Sequence, residues 1–141
     1  MRKFLMVFVL ALVLSLVLAA CGGGGEEAGE SASGGIVGNP DRGKKLYEQT
    51  TIGSASAPGC ITCHSLEPGV VIVGPSHAGV ATRAETYVEG MSAEDYLHES
   101  IVSPDAHVVD GFTPGVMYQN FGEELNDQEI ADLVAYLMTL K

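Results

Sequence analysis

The apolar positions of the C-terminal segment, residues 126–141, recur at helical spacing and predict an amphipathic helix. Asn126 and Glu129 stand three residues apart at its start, which is the spacing of a capping box. One face of the helix is continuously apolar and is formed by Ile130, Leu133, Val134, Leu137 and Met138. This is the clearest helix signal in the chain.

Two further segments predict helices by the same pattern. In residues 39–49 an asparagine can cap the start and Pro40 suits the first helical position. In residues 92–103 Ser92 has capping-box spacing to an aspartate, an apolar stripe follows, and Pro104 ends the helix. Both helices are predicted to bury one apolar face.

Strand signals are weak by comparison. The run GVVIV, residues 69–73, is apolar but short and bounded by glycine and proline. Residues 22–35 contain no hydrophobic residue larger than alanine and cannot contribute to a core. The sequence therefore predicts one small all-α domain with long loops over residues 36–141.

The N-terminus has the pattern of a targeting segment. Arg2 and Lys3 precede an apolar stretch, residues 4–18, and the letters LAAC place small residues ahead of Cys21. This pattern resembles a bacterial lipoprotein signal, in which the chain is cut before the cysteine and the cysteine sulfur takes a diacylglyceryl group.

By this resemblance residues 1–20 are a signal peptide, Cys21 is lipidated, and residues 21–35 form a flexible Gly/Glu/Ser tether. The alternative is a single transmembrane anchor, although the apolar run is slightly short of the roughly 20 residues that a spanning helix needs. Under either interpretation the domain is expected outside the cytoplasm, held at a bacterial membrane.

Charge narrows the choice of partners. The chain has 18 acidic and 7 basic residues, a formal net charge of −11. Such a field disfavours nucleic acid and favours a protein partner with a basic docking surface. The same charge would also aid solubility, and that explanation stays open.

The candidate chemistry lies in PGCITCHSL, residues 58–66, where two cysteines are followed by a histidine. A structural zinc site would need a fourth ligand, and the chain has no second Cys-x-x-Cys. A redox dithiol is expected between a strand and a helix, which this stretch does not predict. A plain disulfide would leave His64 unexplained.

Covalent haem attachment accounts for all three residues. A tight helical turn would bring Cys60 and Cys63 to one edge of the macrocycle as thioethers, and His64 would follow to reach the iron. Lipidation of Cys21 would account for the one remaining cysteine. Haem is therefore favoured over zinc, dithiol and disulfide.

A haem of this kind needs a second axial ligand. Met138 is expected in the core, and Met91 precedes a helix cap without further signal. Met117 lies in a turn-rich loop just before the terminal helix and is the favoured candidate. The histidines and methionines that could supply this second ligand are His77, His98, His107, Met91, Met117 and Met138.

From about residue 39 to residue 141 the chain resembles the class I cytochrome c family, most closely the short domains of bacterial haem-copper oxidase systems. The resemblance is carried, in chain order, by GKKLYEQ, CITCH, VGPS, GVM followed by NFGEEL, and DQEIADLVAYL. It implies a small class I cytochrome c fold with helices packed around one haem c, attached through Cys60 and Cys63. It also implies His64 as proximal ligand and Met117 as distal ligand.

The resemblance assigns further roles. Pro75, 11 residues after His64, matches the proline whose carbonyl accepts a hydrogen bond from the proximal imidazole. Gly43 and Tyr47 match first-helix positions that pack against the last helix, where Tyr136 is the aromatic partner.

Three departures from the family pattern stand out. Tyr118 replaces the proline that often follows the methionine, so the loop is expected to be less rigid. Residues 48–59 are longer than usual and are interpreted as a surface insertion. His77 stands where leucine is common, and is predicted to be a hydrogen-bonding neighbour rather than an alternative ligand.

The predicted function is that of a membrane-tethered one-electron carrier, not an enzyme, which exchanges electrons with a respiratory complex such as a terminal oxidase. The alternative is a sensor or binder of nitric oxide or carbon monoxide, in which a labile Met117 yields to the ligand. A haem peroxidase is a weaker possibility, because no distal histidine and arginine pair is recognisable.

Overall fold

The computed structural model describes residues 35–141, which form one compact unit. The predicted signal peptide, the lipidation site Cys21 and the tether up to residue 34 lie outside the described residues. In the described part of the chain, no helix has the length and apolar character needed to cross a membrane.

Helices dominate the described residues, as the pattern predicts. They are α1 (Pro40–Tyr47), α2 (Cys60–Cys63), α3 (Val80–Tyr87), α4 (Ala93–Val102), α5 (Phe121–Glu124) and α6 (Asp127–Leu137). The strands β1 (Thr51–Ile52) and β2 (Ala57–Pro58) form a small antiparallel hairpin in which Ile52 is opposite Ala57. Long loops connect these elements, so the predicted all-α class with long loops is confirmed.

The three predicted helices are present with their caps. The Asn39 side chain accepts from the Arg42 backbone N–H at the start of α1. At the start of α4 the Ser92 hydroxyl accepts from a backbone N–H in the same way. α6 begins with a complete capping box, in which Asn126 and Glu129 each accept from the backbone of the other. Each cap satisfies donors that a helix start leaves without partners.

Three features were not anticipated, namely helix α3, the short helix α5 and the β1–β2 hairpin. Helix α3 was missed because its buried face contains alanines, Ala81 and Ala84, which give a weak apolar signal. The insertion 48–59 does more than lie on the surface, because its hairpin buries Ile52 and Ala57 in the core. The run 69–73, in contrast, stays exposed and forms only an isolated bridge from Val71 to His64.

The packing of α1 against α6 is the most extensive contact between helices in the described residues. Gly43 permits it, since a Cβ at this position would lie 1.9 Å from the Asp132 carbonyl oxygen. Tyr47 is fully buried one turn later, and its ring meets Tyr136 edge-on with the centroids 5.2 Å apart. The predicted pairing of the first and last helices is therefore observed.

Asp132 ties the same two helices together by hydrogen bonds. Its carboxylate accepts from Arg42 Nε at 2.7 Å and Arg42 Nη2 at 2.9 Å, and from the Asn39 backbone N–H at 2.7 Å. The Arg42 guanidinium holds the pKa of this carboxyl below its usual range, against an opposing effect of burial. The carboxylate is therefore charged and fully partnered at neutral pH.

We expect Gly43→Ala to lower the free energy of unfolding by about 3 kcal/mol, because the new methyl group would force the α1 and α6 backbones apart. Lys45→Ala, on the exposed face of α1, is the matched control and should change stability by no more than about 0.5 kcal/mol. Denaturant unfolding of the haem-loaded protein, followed by far-ultraviolet circular dichroism, measures both. Equal unfolding midpoints for Gly43→Ala and Lys45→Ala would contradict the close approach of the α1 and α6 backbones.

We expect Asp132→Asn to cost about 2 kcal/mol at pH 7, since hydrogen bonds to a charged acceptor are lost. The pKa of Asp132 is depressed in the folded state, so its stabilisation is present above the unfolded pKa and is lost as pH falls through the folded value. The difference between variant and wild type should therefore shrink in acid. Unfolding across a pH series measures it, with Asp110→Asn as an exposed control. A difference independent of pH would rule out the ionic contribution.

Candidate functional site

The Cys-x-x-Cys segment folds into the short helix α2. The His64 backbone N–H donates to the Cys60 carbonyl at 2.9 Å, and the Thr62 hydroxyl donates to the Gly59 carbonyl at 2.6 Å. Residues three apart on a helical turn lie on the same side, so Cys60 and Cys63 face a common region. Both are half-buried and neither is in a disulfide.

His64 follows the turn and is buried, with 8% of its surface exposed. Its Nδ1 lies 2.8 Å from the Pro75 carbonyl oxygen. Because a carbonyl can only accept, Nδ1 carries the proton and Nε2 keeps its lone pair. Burial lowers the pKa of His64, with a smaller opposing effect of this hydrogen bond, so the imidazole is neutral and able to bind a metal.

The loop after His64 is wrapped closely around the histidine. The backbone N–H groups of Val73 and Gly74 both donate to the Cys63 carbonyl, at 3.1 and 2.9 Å. A Cβ at Gly74 would lie only 2.3 Å from Cε1 of His64. Only glycine therefore allows the loop to pass this close to the imidazole, which brings the Pro75 carbonyl to Nδ1.

These residues open onto a cavity of about 820 Å³. That volume is within the range of cofactor pockets. Cys60, Cys63, His64 and Met117 all line the cavity, which brings the predicted haem-binding side chains to one place. Its walls include apolar side chains of α4 and α6, namely Leu97, Ile101, Leu133 and Leu137. A largely apolar cavity with thiols, an imidazole and a thioether at its surface has the donor set that fits a covalently bound haem.

The loop that carries Met117 connects α4 to α5 and is held by polar contacts. The Gln119 side-chain amide donates to the Met117 carbonyl at 2.8 Å. Earlier in the loop, the Gly115 backbone N–H donates to Asp105 at 2.8 Å. The Met117 side chain is half-buried and packs against the core.

Tyr118, which stands where the family that the sequence resembles often has proline, adds contacts of its own. Its hydroxyl donates to the Glu124 carboxylate on α5. Its ring meets Phe121 edge-on with the centroids 5.0 Å apart. These contacts supply a restraint on the loop, in place of the one that a proline would give.

The remaining histidines differ in their surroundings. His98 is exposed, and His107 lies 3.1 Å from the Glu99 carboxylate. His77 is stacked directly on His64, and its Nδ1 is 3.1 Å from the Tyr47 hydroxyl. Burial, followed by the nearby His64 and Arg83, lowers the pKa of His77, which keeps it neutral at pH 7. The predicted hydrogen-bonding role is therefore matched by a contact to Tyr47, whereas the stacking was not foreseen.

Within residues 35–141 no group of three or more histidine, cysteine, aspartate or glutamate side chains is placed to hold a metal ion.

Comparison with known proteins agrees with this geometry. The family model described as Cytochrome c matches residues 40–141, which is nearly all of the described part of the chain. A comparison with curated proteins finds no match. The chain therefore belongs to the cytochrome c family, and its fold is the small, all-α class I cytochrome c fold.

Membership of this family also identifies the cofactor. Cytochromes c bind haem c covalently, and Cys60 and Cys63 have the required spacing ahead of His64. Electron transfer by the haem is the general activity that follows.

Proposed function

We propose that this cytochrome c is a membrane-tethered one-electron carrier that passes electrons to or from a respiratory complex such as a terminal oxidase. The observation that carries the proposal is the meeting of Cys60, Cys63, His64 and Met117 at one largely apolar cavity. The haem supplies the one-electron chemistry when bound, and the protein supplies attachment, orientation and exclusion of water.

In this proposal His64 is the proximal ligand of the iron and Met117 is the distal ligand. His64 is supported by its neutral, buried imidazole and by the Pro75 carbonyl that fixes the proton on Nδ1. Met117 is supported by its place at the same cavity, on a loop held by Gln119 and Tyr118. A thioether ligand favours the reduced iron and raises the potential.

We further propose a carrier role without enzymatic activity. The cavity is lined by apolar side chains of α4 and α6, which suit the exclusion of water from a redox centre rather than the binding of a polar substrate. Electron exchange would then require only that a donor and an acceptor dock in turn near the cavity.

The proposed partner has a basic docking surface. The cations of the described domain are few, and three of them, Arg42, Lys44 and Lys45, lie on α1. Arg83, which lines the cavity, is bound to the carbonyls of Ser76 and Ala78 at 2.5 Å each. The rest of the surface is dominated by carboxylates, which would attract a basic partner and make association slower at high salt.

A ligand-binding role is the second candidate. The observation in its favour is the replacement of the expected proline by Tyr118, which frees the backbone after Met117. The contacts of Tyr118 with Glu124 and Phe121 act in the opposite direction, because they restrain the loop. The carrier is therefore the preferred proposal.

For the haem-loaded protein we expect a c-type α band on reduction and a reduced spectrum that carbon monoxide does not change. Met117→Ala should remove the weak far-red band of Met-ligated ferric haem and should bind carbon monoxide rapidly, because the sixth position is open. Absorption spectroscopy measures both effects. Met91→Ala is the matched control, since Met91 is also half-buried and packs against the core.

Two outcomes would contradict this proposal. Loss of the far-red band in Met91→Ala, with the band retained in Met117→Ala, would show that Met117 is not the ligand. Rapid binding of carbon monoxide by the wild-type reduced protein would favour the ligand-binding role over the carrier.

The anchor is testable by mass spectrometry of the protein extracted from membranes with detergent. We expect a chain that begins at Cys21 and carries the added mass of acyl chains, because the lipoprotein pattern places the cut there. Cys21→Ser should retain residues 1–20 and gain no lipid. A wild-type chain that still begins at Met1 without added mass would instead indicate a transmembrane anchor.

A further inference from the structure

A second imidazole lies against the proposed proximal ligand. The rings of His77 and His64 are 3.9 Å apart between centroids and 14° from parallel, which is a face-to-face stack. The His77 backbone N–H donates to the Ser65 carbonyl at 2.8 Å, so the stacked residue is also fixed through its main chain. His77 is therefore held by its backbone next to the motif that carries His64.

The side chain of His77 is held as well. Its Nδ1 lies 3.1 Å from the hydroxyl of Tyr47, a residue with no exposed surface. Tyr47 is in turn fixed by its edge-on contact with Tyr136 on α6, and its hydroxyl is 3.5 Å from the His64 carbonyl oxygen. A chain of contacts thus runs from the α1–α6 packing to the ring that is stacked on His64.

We propose that His77 is a positioning residue for His64, and that the stacked ring sets the orientation of the His64 plane and lowers the reduction potential. This proposal rests on the proposed function, in which His64 is the proximal ligand. It goes beyond a hydrogen-bonding neighbour, because it assigns His77 a measurable effect on the redox centre.

The geometry explains why a second contact is needed. The Pro75 carbonyl fixes one atom of His64, Nδ1, which leaves the ring free to pivot about that hydrogen bond. Gly74 closes in at Cε1, and the parallel ring of His77 covers one face. Together these contacts restrict rotation of the His64 ring about its Cβ–Cγ bond.

The polarity of His77 explains the effect on potential. A leucine, common at this position in the family, would place only apolar atoms beside His64. An imidazole hydrogen-bonded to Tyr47 instead places a polar group there. Polar groups near a haem favour the more highly charged ferric state, which lowers the potential.

The experiment compares wild type with His77→Leu, His77→Phe and Tyr47→Phe, each loaded with haem. Electron paramagnetic resonance of the ferric state reports the orientation of the axial imidazole, and a redox titration reports the midpoint potential. We expect His77→Leu to change the resonance anisotropy and to shift the potential upward. His98→Leu, at an exposed histidine, is the control and should match wild type in both.

The other two variants separate orientation from polarity. His77→Phe keeps a flat ring on His64 but cannot form the hydrogen bond with Tyr47, so we expect the wild-type anisotropy with a raised potential. Tyr47→Phe removes only the hydroxyl, and should raise the potential by a smaller shift. If His77 had only a structural role, the thermal stability of these variants would change, but the resonance anisotropy and the midpoint potential would not.

Wild-type anisotropy and potential in folded His77→Leu would overturn the proposal. If His77→Leu does not fold, wild-type midpoint potentials in both His77→Phe and Tyr47→Phe would overturn the proposal. Failure of the proposed function can be told apart from failure of this proposal. Without His–Met ligation the wild-type protein itself would lack the far-red band, before any substitution is made.

Discussion

The structure depends on the close approach of α1 to α6, which Gly43 allows by having no side chain to separate the two backbones. This approach buries Tyr47 against Tyr136 and aligns Asp132 with Arg42 and the start of α1. Tyr47 then reaches His77, and His77 is stacked on His64. A packing constraint between the first and last helices is thereby transmitted, through direct contacts, to the imidazole at the cavity.

The His64 side and the Met117 side of the cavity are held by different kinds of contact. On the side of His64, the ring is surrounded by backbone and by other rings, with Pro75, Gly74 and His77 each in contact. Around Met117, by contrast, hydrogen bonds hold the loop backbone and Tyr118, and the Met117 side chain is held by packing against the core. The histidine side is therefore the more tightly defined of the two.

The sequence predicted those elements whose signals are local and strong. The helices with large apolar faces and side-chain caps, α1, α4 and α6, were found, and so was the haem motif. Helix α3 was missed because alanines form its buried face, and the hairpin was missed because each strand has two residues. The stack of His77 on His64 could not be foreseen, because it depends on how the loop between them folds back. The sequence pointed to this position only by having a polar residue, His77, where leucine is common.

The α1–α6 contact also fixes the place where the N-terminal chain enters the domain. Chain that precedes the domain joins it at Asn39, whose backbone N–H is bonded to Asp132, and a Cβ on the neighbouring Gly38 would meet the α6 backbone 2.1 Å away. No residue of α1 lines the cavity, whereas α6 contributes Leu133 and Leu137 to its wall. The incoming chain and one wall of the cavity are therefore held by the same helix.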